Sequence, residues 1–279
     1  MKSVKFVIGT GAALFGILLL VVSSCTKDAE PTNREYQLVW SDEFDGPEGQ
    51  APDSEKWTYD IGIGPEGDGW GNNELQYYTD RTENVSLDGE GNLVITAREE
   101  VFGGRAFTSG RILTKGLFSQ AYGRFEARIK TPFGPGLWPA FWMLGADIDQ
   151  VGWPQTGEID MMELRGNEPE VIAGTIHGPG YSALDAIGKD YLLEEGRFDQ
   201  KFHVFAIEWG ENYIDWFVDG VNFQRLTPND VPGEWVYDDP FFMLLNVAVG
   251  GTYVGFPSQD TIWPQMMTVD YVRVYKEVN

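Results

Sequence analysis

The stretch Tyr122-Gly123-Arg124-Phe125-Glu126-Ala127-Arg128-Ile129-Lys130 decides the fold class. Its apolar residues alternate with charged ones, and this period of two is typical of a strand with one buried face. Residues 213–219 and 268–275 alternate in a similar way. Residues 241–249 are apolar apart from Asn246, which indicates a strand that is covered on both faces.

Turn signals separate these stretches, and Asp88-Gly89, Asp219-Gly220 and Pro232-Gly233 are examples. No segment keeps an apolar stripe at helical spacing over several turns, and the sequence shows neither an internal repeat nor a second domain. Many short strands between turns predict an all-β chain that folds as a sandwich or jelly roll. We expect one domain over residues 36–279, and a monomer.

The composition restricts the class of function. Of the 279 residues, 42% are apolar and 14% aromatic, which is enough for a sizeable core and excludes a disordered chain. The 43 acidic and 20 basic residues give a net charge of -23, which repels phosphate backbones and argues against nucleic acid as a partner. Cys25 is the only cysteine, so neither an intramolecular disulfide nor a cysteine-based zinc site is expected.

The N-terminus has the pattern of an export signal. Lys2 and Lys5 precede an apolar run over residues 6–22, and Ser23-Ser24-Cys25 follows it. This resembles a bacterial lipoprotein signal, which implies a signal peptide over residues 1–24 and, over residues 25–35, an acylated Cys25 and a short tether. The protein would then be an outer membrane lipoprotein, held by its lipid anchor at the cell surface or on the periplasmic face. An uncleaved membrane anchor is the alternative, since the apolar run is only just long enough to span a bilayer.

The acidic residues with a chemical pattern are in Glu158-Ile159-Asp160-Met161-Met162-Glu163. Glu158 and Asp160 are two residues apart and share one face of a strand. A β-bulge at Met161-Met162 would bring Glu163 to the same face, and bulges are often found beside active sites. Three neighbouring carboxylates repel one another, so one stays ionised while another keeps its proton near neutral pH. Retaining glycoside hydrolysis requires such a pair.

Acids that alternate along a strand are also found on ordinary solvated faces, so the aromatic surroundings matter. Trp138, Trp142 and Trp153 flank the acidic strand in sequence, and the chain has ten tryptophans. An indole can cover the apolar face of a sugar ring, and aromatic platforms beside acids are typical of a carbohydrate cleft. We therefore expect some tryptophans to lie in a cleft and not in the core.

The acidic stretch resembles the signature of glycoside hydrolase family 16, in the bulged form of its bacterial laminarinases. The resemblance covers roughly residues 36–276, because further segments are similar to that family in the same order. These segments are Trp40 to Gly46, Gly71 to Tyr78, Tyr122 to Arg128, Leu137 to Gly145, His177 to Tyr181, Phe202 to Trp209, and Asn246 to Gly251. Ordered motifs of this length are far more specific than one short pattern.

The resemblance implies a β-jelly-roll sandwich of two antiparallel sheets with a concave substrate cleft. It implies an endo-β-1,3-glucanase that cleaves internal bonds of laminarin-type β-glucans by double displacement, with retention and without a catalytic cofactor. By motif position Glu158 is the nucleophile and Glu163 the acid/base, while Asp160 lies between them and tunes the nucleophile.

The resemblance also implies binding residues and a structural calcium ion. The expected substrate-binding residues are Asn72, Glu74, Arg111, Trp138, Trp142, Trp153 and His177. After Gly250-Gly251 many laminarinases have a tryptophan where this chain has Tyr253. The calcium ligands would be the carboxylate of Asp270 and the backbone carbonyls of Glu43 and Gly91, unless Asp270 is simply a surface strand residue.

Two other classes of function remain open at this point. One is a noncatalytic glycan-binding lipoprotein on the same sandwich, which leaves the three carboxylates without a role. The other is a related hydrolase or a transglycosylase, because both share the covalent intermediate. The substrate could also be mixed-linkage glucan or a marine galactan such as agar or carrageenan, since related clefts accept them.

Overall fold

The computed structural model describes residues 34–278. The predicted signal peptide, the predicted acylation site Cys25 and the tether up to residue 33 lie outside the described residues. From residue 34 to residue 278, no helix has both the length and the apolar character needed to cross a bilayer.

Strands are the main regular elements of the described chain, and its helical segments are short. The strands are β1 (Glu35–Asp42), β2 (Thr58–Tyr59), β3 (Gln76–Tyr78), β4 (Val85–Leu87), β5 (Leu93–Phe102), β6 (Arg105–Ser109), β7 (Arg111–Leu113), β8 (Gly123–Lys130), β9 (Leu137–Gly145), β10 (Glu158–Leu164), β11 (Val171–His177), β12 (Ile187–Leu192), β13 (His203–Gly210), β14 (Tyr213–Val218), β15 (Val221–Leu226), β16 (Phe241–Val249) and β17 (Gln265–Val278). The helical segments are a turn at Gly69–Asn73, helix α1 at Ile148–Val151 and a 3₁₀ turn at Ala183–Asp185.

The strands form two sheets, which confirms the predicted all-β sandwich. A ten-stranded sheet has the order β15-β14-β13-β8-β17-β5-β6-β3, with β1 beside β17 and β4 beside β5. A seven-stranded sheet has the order β12-β11-β10-β9-β16-β7-β2. Strand β10, which carries the acidic stretch, therefore lies between β9 and β11.

One strand pair departs from the expected antiparallel arrangement. Strands β3 and β6 run parallel, whereas the other pairs between the strands named above are antiparallel. Parallel neighbours need a long connection, and the segment with β4 and β5 provides it.

Alternation along the strands sorts the side chains between the core and the two outer faces. In β8, Phe125, Ala127 and Ile129 are fully buried between the sheets, as the period of two predicts. All residues of β16 are buried, in agreement with the prediction of a strand covered on both sides. The apolar core therefore lies between the sheets, and each sheet presents polar side chains on its outer face.

The outer face of the ten-stranded sheet pairs its acids with arginines. Arg225 contacts both carboxylate oxygens of Asp215 at 2.6 Å. The arginines of this surface, which we call the arginine face, are Arg34, Arg124, Arg128, Arg225 and Arg273, and their carboxylate partners are Glu43, Glu126, Glu208, Asp215 and Asp270. Planar guanidinium groups match carboxylates in such two-pronged contacts.

Candidate active site

A β-bulge in β10 brings the three acids to one face. Asp160 pairs with Thr175 on β11 and with Trp142 on β9, and the register of both neighbours shifts before Glu163. Both methionines of the bulge are buried in the core, so the predicted insertion at Met161-Met162 is present. Glu163 is thereby turned to the same outer face as Asp160. We call this outer surface of the seven-stranded sheet the carboxylate face.

Two tryptophans donate hydrogen bonds to the two glutamates. The Nε1–H of Trp153 donates to Oε2 of Glu158 over 2.9 Å, and the Nε1–H of Trp138 donates to Oε1 of Glu163, also over 2.9 Å. Trp153 is 44% exposed, so part of its ring remains free. Each indole thus fixes one carboxylate and presents an aromatic surface beside it.

His177 lies beside Asp160 and Glu158. Its Nε2 is 3.2 Å from Oδ2 of Asp160 and 3.6 Å from Oε1 of Glu158. The backbone N–H of Ala183 donates to its Nδ1 over 3.1 Å, so Nδ1 carries no proton in this arrangement and Nε2–H is the donor to Asp160. Burial lowers the pKa of His177, but the hydrogen bond and charge of Asp160 outweigh it and raise the pKa to about 9. The Ala183 hydrogen bond opposes that protonation and favours the neutral imidazole.

The protonation states of the two glutamates differ from those of exposed carboxylates. Burial and the negative charge of Asp160 raise the pKa of Glu163 to about 8 and that of Glu158 to about 7. The arrangement favours a shared state near neutral pH in which one carboxyl keeps its proton and Glu163 is the more basic site.

A buried polar network continues from the carboxylate face to strands β16 and β3. Trp142 donates to Oδ1 of Asn246 over 2.7 Å, and Nδ2 of Asn246 donates to the hydroxyl of Tyr78 over 3.1 Å. Glu74 is almost fully buried and accepts hydrogen bonds from Asn72, Gln76 and Tyr78. The network occupies both oxygens of Glu74, so that side chain orients Asn72 and Tyr78.

Arg111 lies between two indoles at the end of this network. Its guanidinium carbon is 4.5 Å from the ring centre of Trp70 and 4.8 Å from that of Trp142, and its Nε forms an ion pair with Asp60 at 2.9 Å. Trp70 has a left-handed backbone conformation, with φ of 57°. Such strain in a bulky residue is typical of functional loops.

The ring centre of Tyr253 is 5.1 Å from that of Trp138. Its hydroxyl accepts a hydrogen bond from Arg165 over 2.8 Å. Arg165 also binds Glu168 and Asp190. Tyr253 therefore contacts Trp138 and has a polar link to the β10–β11 turn through Arg165.

Asp270, the expected carboxylate ligand of calcium, lies on β17. Asp270 lies at an irregularity of this strand, close to the pairing positions of the end of β1 and the start of β5. Its carboxylate forms an ion pair with Arg128, and the carboxylate of Glu43 binds Arg273. Calcium at this place stays a prediction.

A second group of side chains that are able to bind a metal lies in the active site itself. Ligand atoms of Glu158, Asp160 and His177 are within 4.8 Å of one another. The hydrogen bond from His177 to Asp160 accounts for this approach, and we assign no metal to it.

The expected site residues fall into two groups. In the first group, direct contacts link Glu158, Asp160, Trp153 and His177, and Trp138 contacts Glu163 beside them. Asn72, Glu74, Arg111 and Trp142 belong to the adjoining network. Sequence reasoning missed Trp70, Gln76, Tyr78 and Thr175. Thr175 is two residues before His177, so strand alternation could have placed it on the same face.

The site geometry agrees with the sequence comparisons. The profile of Glycosyl hydrolases family 16 matches residues 71–273. The chain belongs to this family. It is 43% identical over 275 residues to a β-glucanase of Rhodothermus marinus, a match that covers 94% of this chain and 93% of the relative.

Solved structures show the same fold. The laminarinase catalytic domain of Thermotoga maritima is 47% identical and superposes with a TM-score of 0.83, covering 88% of this chain and 100% of that domain. The endo-β-1,3-glucanase of Pyrococcus furiosus is 46% identical with a TM-score of 0.84, covering 89% and 97% of the two chains. The expected jelly-roll fold and the resemblance to laminarinases of family 16 are thus confirmed.

Proposed function

We propose that this family 16 chain is a retaining endo-glycosidase that hydrolyses internal β-1,3-glucosidic bonds of laminarin-type glucans. The observation that carries the proposal is the bulge in β10, which sets Glu158, Asp160 and Glu163 on one face between two hydrogen-bonding tryptophans. The names of the relatives, a β-glucanase and two enzymes acting as laminarinase or endo-β-1,3-glucanase, support the substrate class.

In the first step Glu163 donates its proton to the glycosidic oxygen while the carboxylate of Glu158 attacks the anomeric carbon. The C–O bond to the leaving sugar breaks, and an ester forms between Glu158 and the retained sugar. In the second step a water molecule gives a proton to Glu163 and attacks the ester, which restores Glu158 and retains the anomeric configuration. The reaction needs no cofactor.

Asp160 and His177 serve these two glutamates. Asp160 is 2% exposed, accepts the Nε2–H of His177 and repels negative charge on its neighbours. Its charge disfavours full ionisation of the pair, so that Glu163 remains protonated while Glu158 ionises. His177, held by Ala183, orients the Asp160 carboxylate through its Nε2–H.

Glucan binding follows from the aromatic and polar groups of the carboxylate face. Trp138 and Trp153 present rings beside the glutamates, and Trp142, Arg111 and Asn72 extend the surface across β9, β7 and the loop before β3. Aromatic rings cover the apolar sugar faces, and the polar groups select the hydroxyls.

A noncatalytic glycan-binding protein needs no row of repelling carboxylates, whereas a transglycosylase would use the same residues with a sugar as acceptor.

Incubating the purified protein with laminarin, lichenan and agar, then sizing the products, separates these functions. We expect shorter oligosaccharides from laminarin. Intact laminarin after prolonged incubation would reject the hydrolase, and products longer than the starting oligosaccharides would indicate sugar transfer.

The roles of the two glutamates are tested with azide and an activated aryl glycoside. In Glu163→Ala, azide should attack the glycosyl-enzyme and give a β-glycosyl azide. In Glu158→Ala, azide should replace the nucleophile and give the α-azide by one inversion. NMR identifies the anomer, and an α product from the Glu163 variant would reverse the two roles.

We further propose that Cys25 is acylated after removal of residues 1–24, which would make the protein an outer membrane lipoprotein. The support is the sequence pattern alone. Cys25→Ala should leave the precursor unprocessed or release the protein from membranes. A Cys25→Ala protein that is processed normally and stays in the membrane fraction would contradict the lipid anchor.

Structural calcium at Asp270, with the carbonyls of Glu43 and Gly91, is also a proposal. An ion that binds only the folded state raises the melting temperature by mass action. We expect calcium to raise it and Asp270→Ala to abolish the gain. Equal melting temperatures with calcium and with chelator would reject the site.

A further inference from the structure

The hydroxyl of Thr175 lies between two carboxyl groups of the active site. Its Oγ1 is 2.5 Å from Oδ2 of Asp160 and 3.2 Å from Oε2 of Glu163. Thr175 is on β11, directly opposite Asp160 in the strand pair. Neither packing in the core nor exposure to solvent explains why Thr175 contacts two different acids.

The number of protons restricts how this hydroxyl can bond. A threonine hydroxyl has one hydrogen to donate and two lone pairs that accept. The contact with Asp160 has the length of a hydrogen bond to an ionised carboxylate, about 2.5–2.7 Å, so the hydrogen points to Asp160. Oγ1 then turns a lone pair towards Oε2 of Glu163. Two lone pairs repel, unless Oε2 carries a proton.

The other oxygen of Glu163 is already occupied. Oε1 accepts the indole N–H of Trp138 over 2.9 Å, a contact that favours an unprotonated oxygen at that position. The proton of the acid form therefore belongs on Oε2, on the side of Thr175. In this arrangement Trp138, Glu163, Thr175 and Asp160 all have hydrogen-bond partners within the described contacts.

We propose that Thr175 is a positioning residue that holds the acid proton on Oε2 of Glu163, and that it links this proton to the charge of Asp160. The inference rests on the proposed function. Before substrate binds, the O–H of Glu163 donates to Oγ1 of Thr175. When the glycosidic oxygen arrives, the same O–H turns to it and transfers the proton as the C–O bond breaks. In the second step, the proton taken from water returns to Oε2 and to its acceptor Thr175.

Other groups also face Glu163 and influence its pKa. Glu158 and Asp160 come from β10, His177 from β11 and Trp138 from β9. Tyr253 faces it from the loop after β16, with Arg165 bound to the Tyr253 hydroxyl. Burial and Asp160 already raise the pKa of Glu163. Thr175 adds to this effect because it accepts a hydrogen bond from the protonated form only.

The test compares Thr175→Val, which keeps the shape and removes the hydroxyl, with Thr175→Ser, which keeps the hydroxyl. In Thr175→Val the alkaline limb of the kcat/KM profile on glucan should move to lower pH by about one unit, and kcat should fall about tenfold, with little change in KM. Thr175→Ser should restore both values. A move of the alkaline limb to higher pH would overturn the proposal, because it would show that Thr175 donates to Glu163. An unchanged limb in Thr175→Val, or no recovery in Thr175→Ser, would overturn it as well.

Two further measurements separate positioning from a general loss of structure. With an activated aryl glycoside, whose departure needs little protonation, Thr175→Val should leave glycosyl-enzyme formation almost unchanged. In a Glu163→Ala background, the same substitution should have no further effect on activity. An equal loss on both substrates, or an additive loss in the double variant, would show that Thr175 acts through something other than the proton of Glu163.

The matched control is Thr227→Val. Thr227 is also partly buried and donates to a carboxylate, Asp230, over 2.7 Å, but it follows β15 in the other sheet. Loss of the Thr227 hydroxyl should leave the pH profile unchanged.

A titration of the glutamate side chains by ¹³C NMR, assigned with Glu163→Gln, measures the pKa change of Glu163 in Thr175→Val without turnover. A downward shift in Thr175→Val supports the proposal even where the substrate assignment fails, and an unchanged titration rejects it.

Discussion

The two outer faces of the sandwich treat their acids in opposite ways. On the arginine face, Asp215 binds Arg225 through two contacts of 2.6 Å, and Glu43 binds Arg273 at 2.7 Å and 3.0 Å. On the carboxylate face, no lysine or arginine in residues 34–278 forms an ion pair with Glu158, Asp160 or Glu163. Among the basic side chains of these residues, only His177 comes close, and it contacts Glu158 and Asp160.

This difference in pairing changes the pKa values of the acids on the two faces. The hydrogen bond from Arg273 lowers the pKa of Glu43, while burial and Asp160 raise the pKa of Glu163. The same type of side chain thus becomes a stable anion on one face and a proton donor on the other. Whether an acid is paired with a basic side chain, more than its place on a strand, therefore separates a structural carboxylate from a reactive one.

The largest expected effect is on catalysis at the carboxylate face. Glu163→Ala should lower kcat on laminarin by about 10²–10⁴-fold, the usual contribution of a general acid. The melting temperature should not fall, because Asp160 repels the ionised form of this buried carboxyl and no lysine or arginine of residues 34–278 pairs with it. Steady-state kinetics and thermal unfolding measure both. A large fall in melting temperature would show that Glu163 is a structural acid like those of the arginine face.

The opposite result is expected on the arginine face. Asp215→Ala removes two charge-assisted hydrogen bonds of Arg225 and should destabilise the fold by about 1.5–3 kcal/mol, while kcat/KM of the folded protein stays unchanged. Urea unfolding measures the stability, and a titration of folded protein normalises the activity. Lost activity in fully folded Asp215→Ala would mean that the two faces are coupled.

The pH dependence should also differ between the faces. Activity needs Glu158 ionised and Glu163 protonated, so kcat/KM should fall about tenfold per pH unit outside a narrow maximum, here between about 7 and about 8. A single limb, or a maximum near pH 5, would contradict the paired protonation.

Stability should respond with opposite sign on the two faces. The folded state binds protons at Glu163 more tightly than the unfolded chain, so this group favours folding at low pH and loses that contribution as pH rises towards about 8. Glu43 favours folding above its unfolded pKa and loses that contribution on acidification. Glu163→Gln should therefore flatten the alkaline decline in stability, whereas Glu43→Gln should flatten the acid decline. Unfolding curves from pH 3 to pH 9, roughly, compare the two.

The smallest effect is expected from the indole donors. Trp138→Phe keeps an aromatic ring and removes the N–H bonded to Glu163, so the pKa of Glu163 should rise and kcat should change only severalfold. The control Trp209→Phe removes an N–H that donates to the Tyr237 carbonyl in the core, and it should affect stability alone. A larger pH shift in Trp209→Phe than in Trp138→Phe would show that the indole of Trp138 does not tune Glu163.

Much of the fold could be predicted because alternation and burial are local. The strands at residues 122–130, 213–219 and 241–249 were expected within one residue of their observed ends. The bulge was also predictable, since one extra residue is needed to bring Glu163 beside Asp160. Strand order was not, because pairing depends on long connections such as the one that makes β3 parallel to β6.

The candidate site was only partly predictable for the same reason. Glu158 and Asp160 share a face because they are two residues apart in one motif, and the predicted bulge adds Glu163 to it. Thr175 contacts them from the neighbouring strand, and Tyr78 reaches Asn246 across 168 residues of sequence. Spacing within a motif carries no information on such partners, because register between strands brings them together.

The sequence by itself determined the chemistry available to this protein: alternating strands with apolar inner faces, three acids on one strand, and tryptophans to cover sugar rings. These properties follow from residue type and from the period of two, which are local. Only the tertiary structure decided which acids would be neutralised. Arg225 meets Asp215 from the adjacent strand, whereas Asp160 meets Thr175 and Trp142 across its strand pairs. Charge interactions depend on distance in space, and that distance is set by strand pairing.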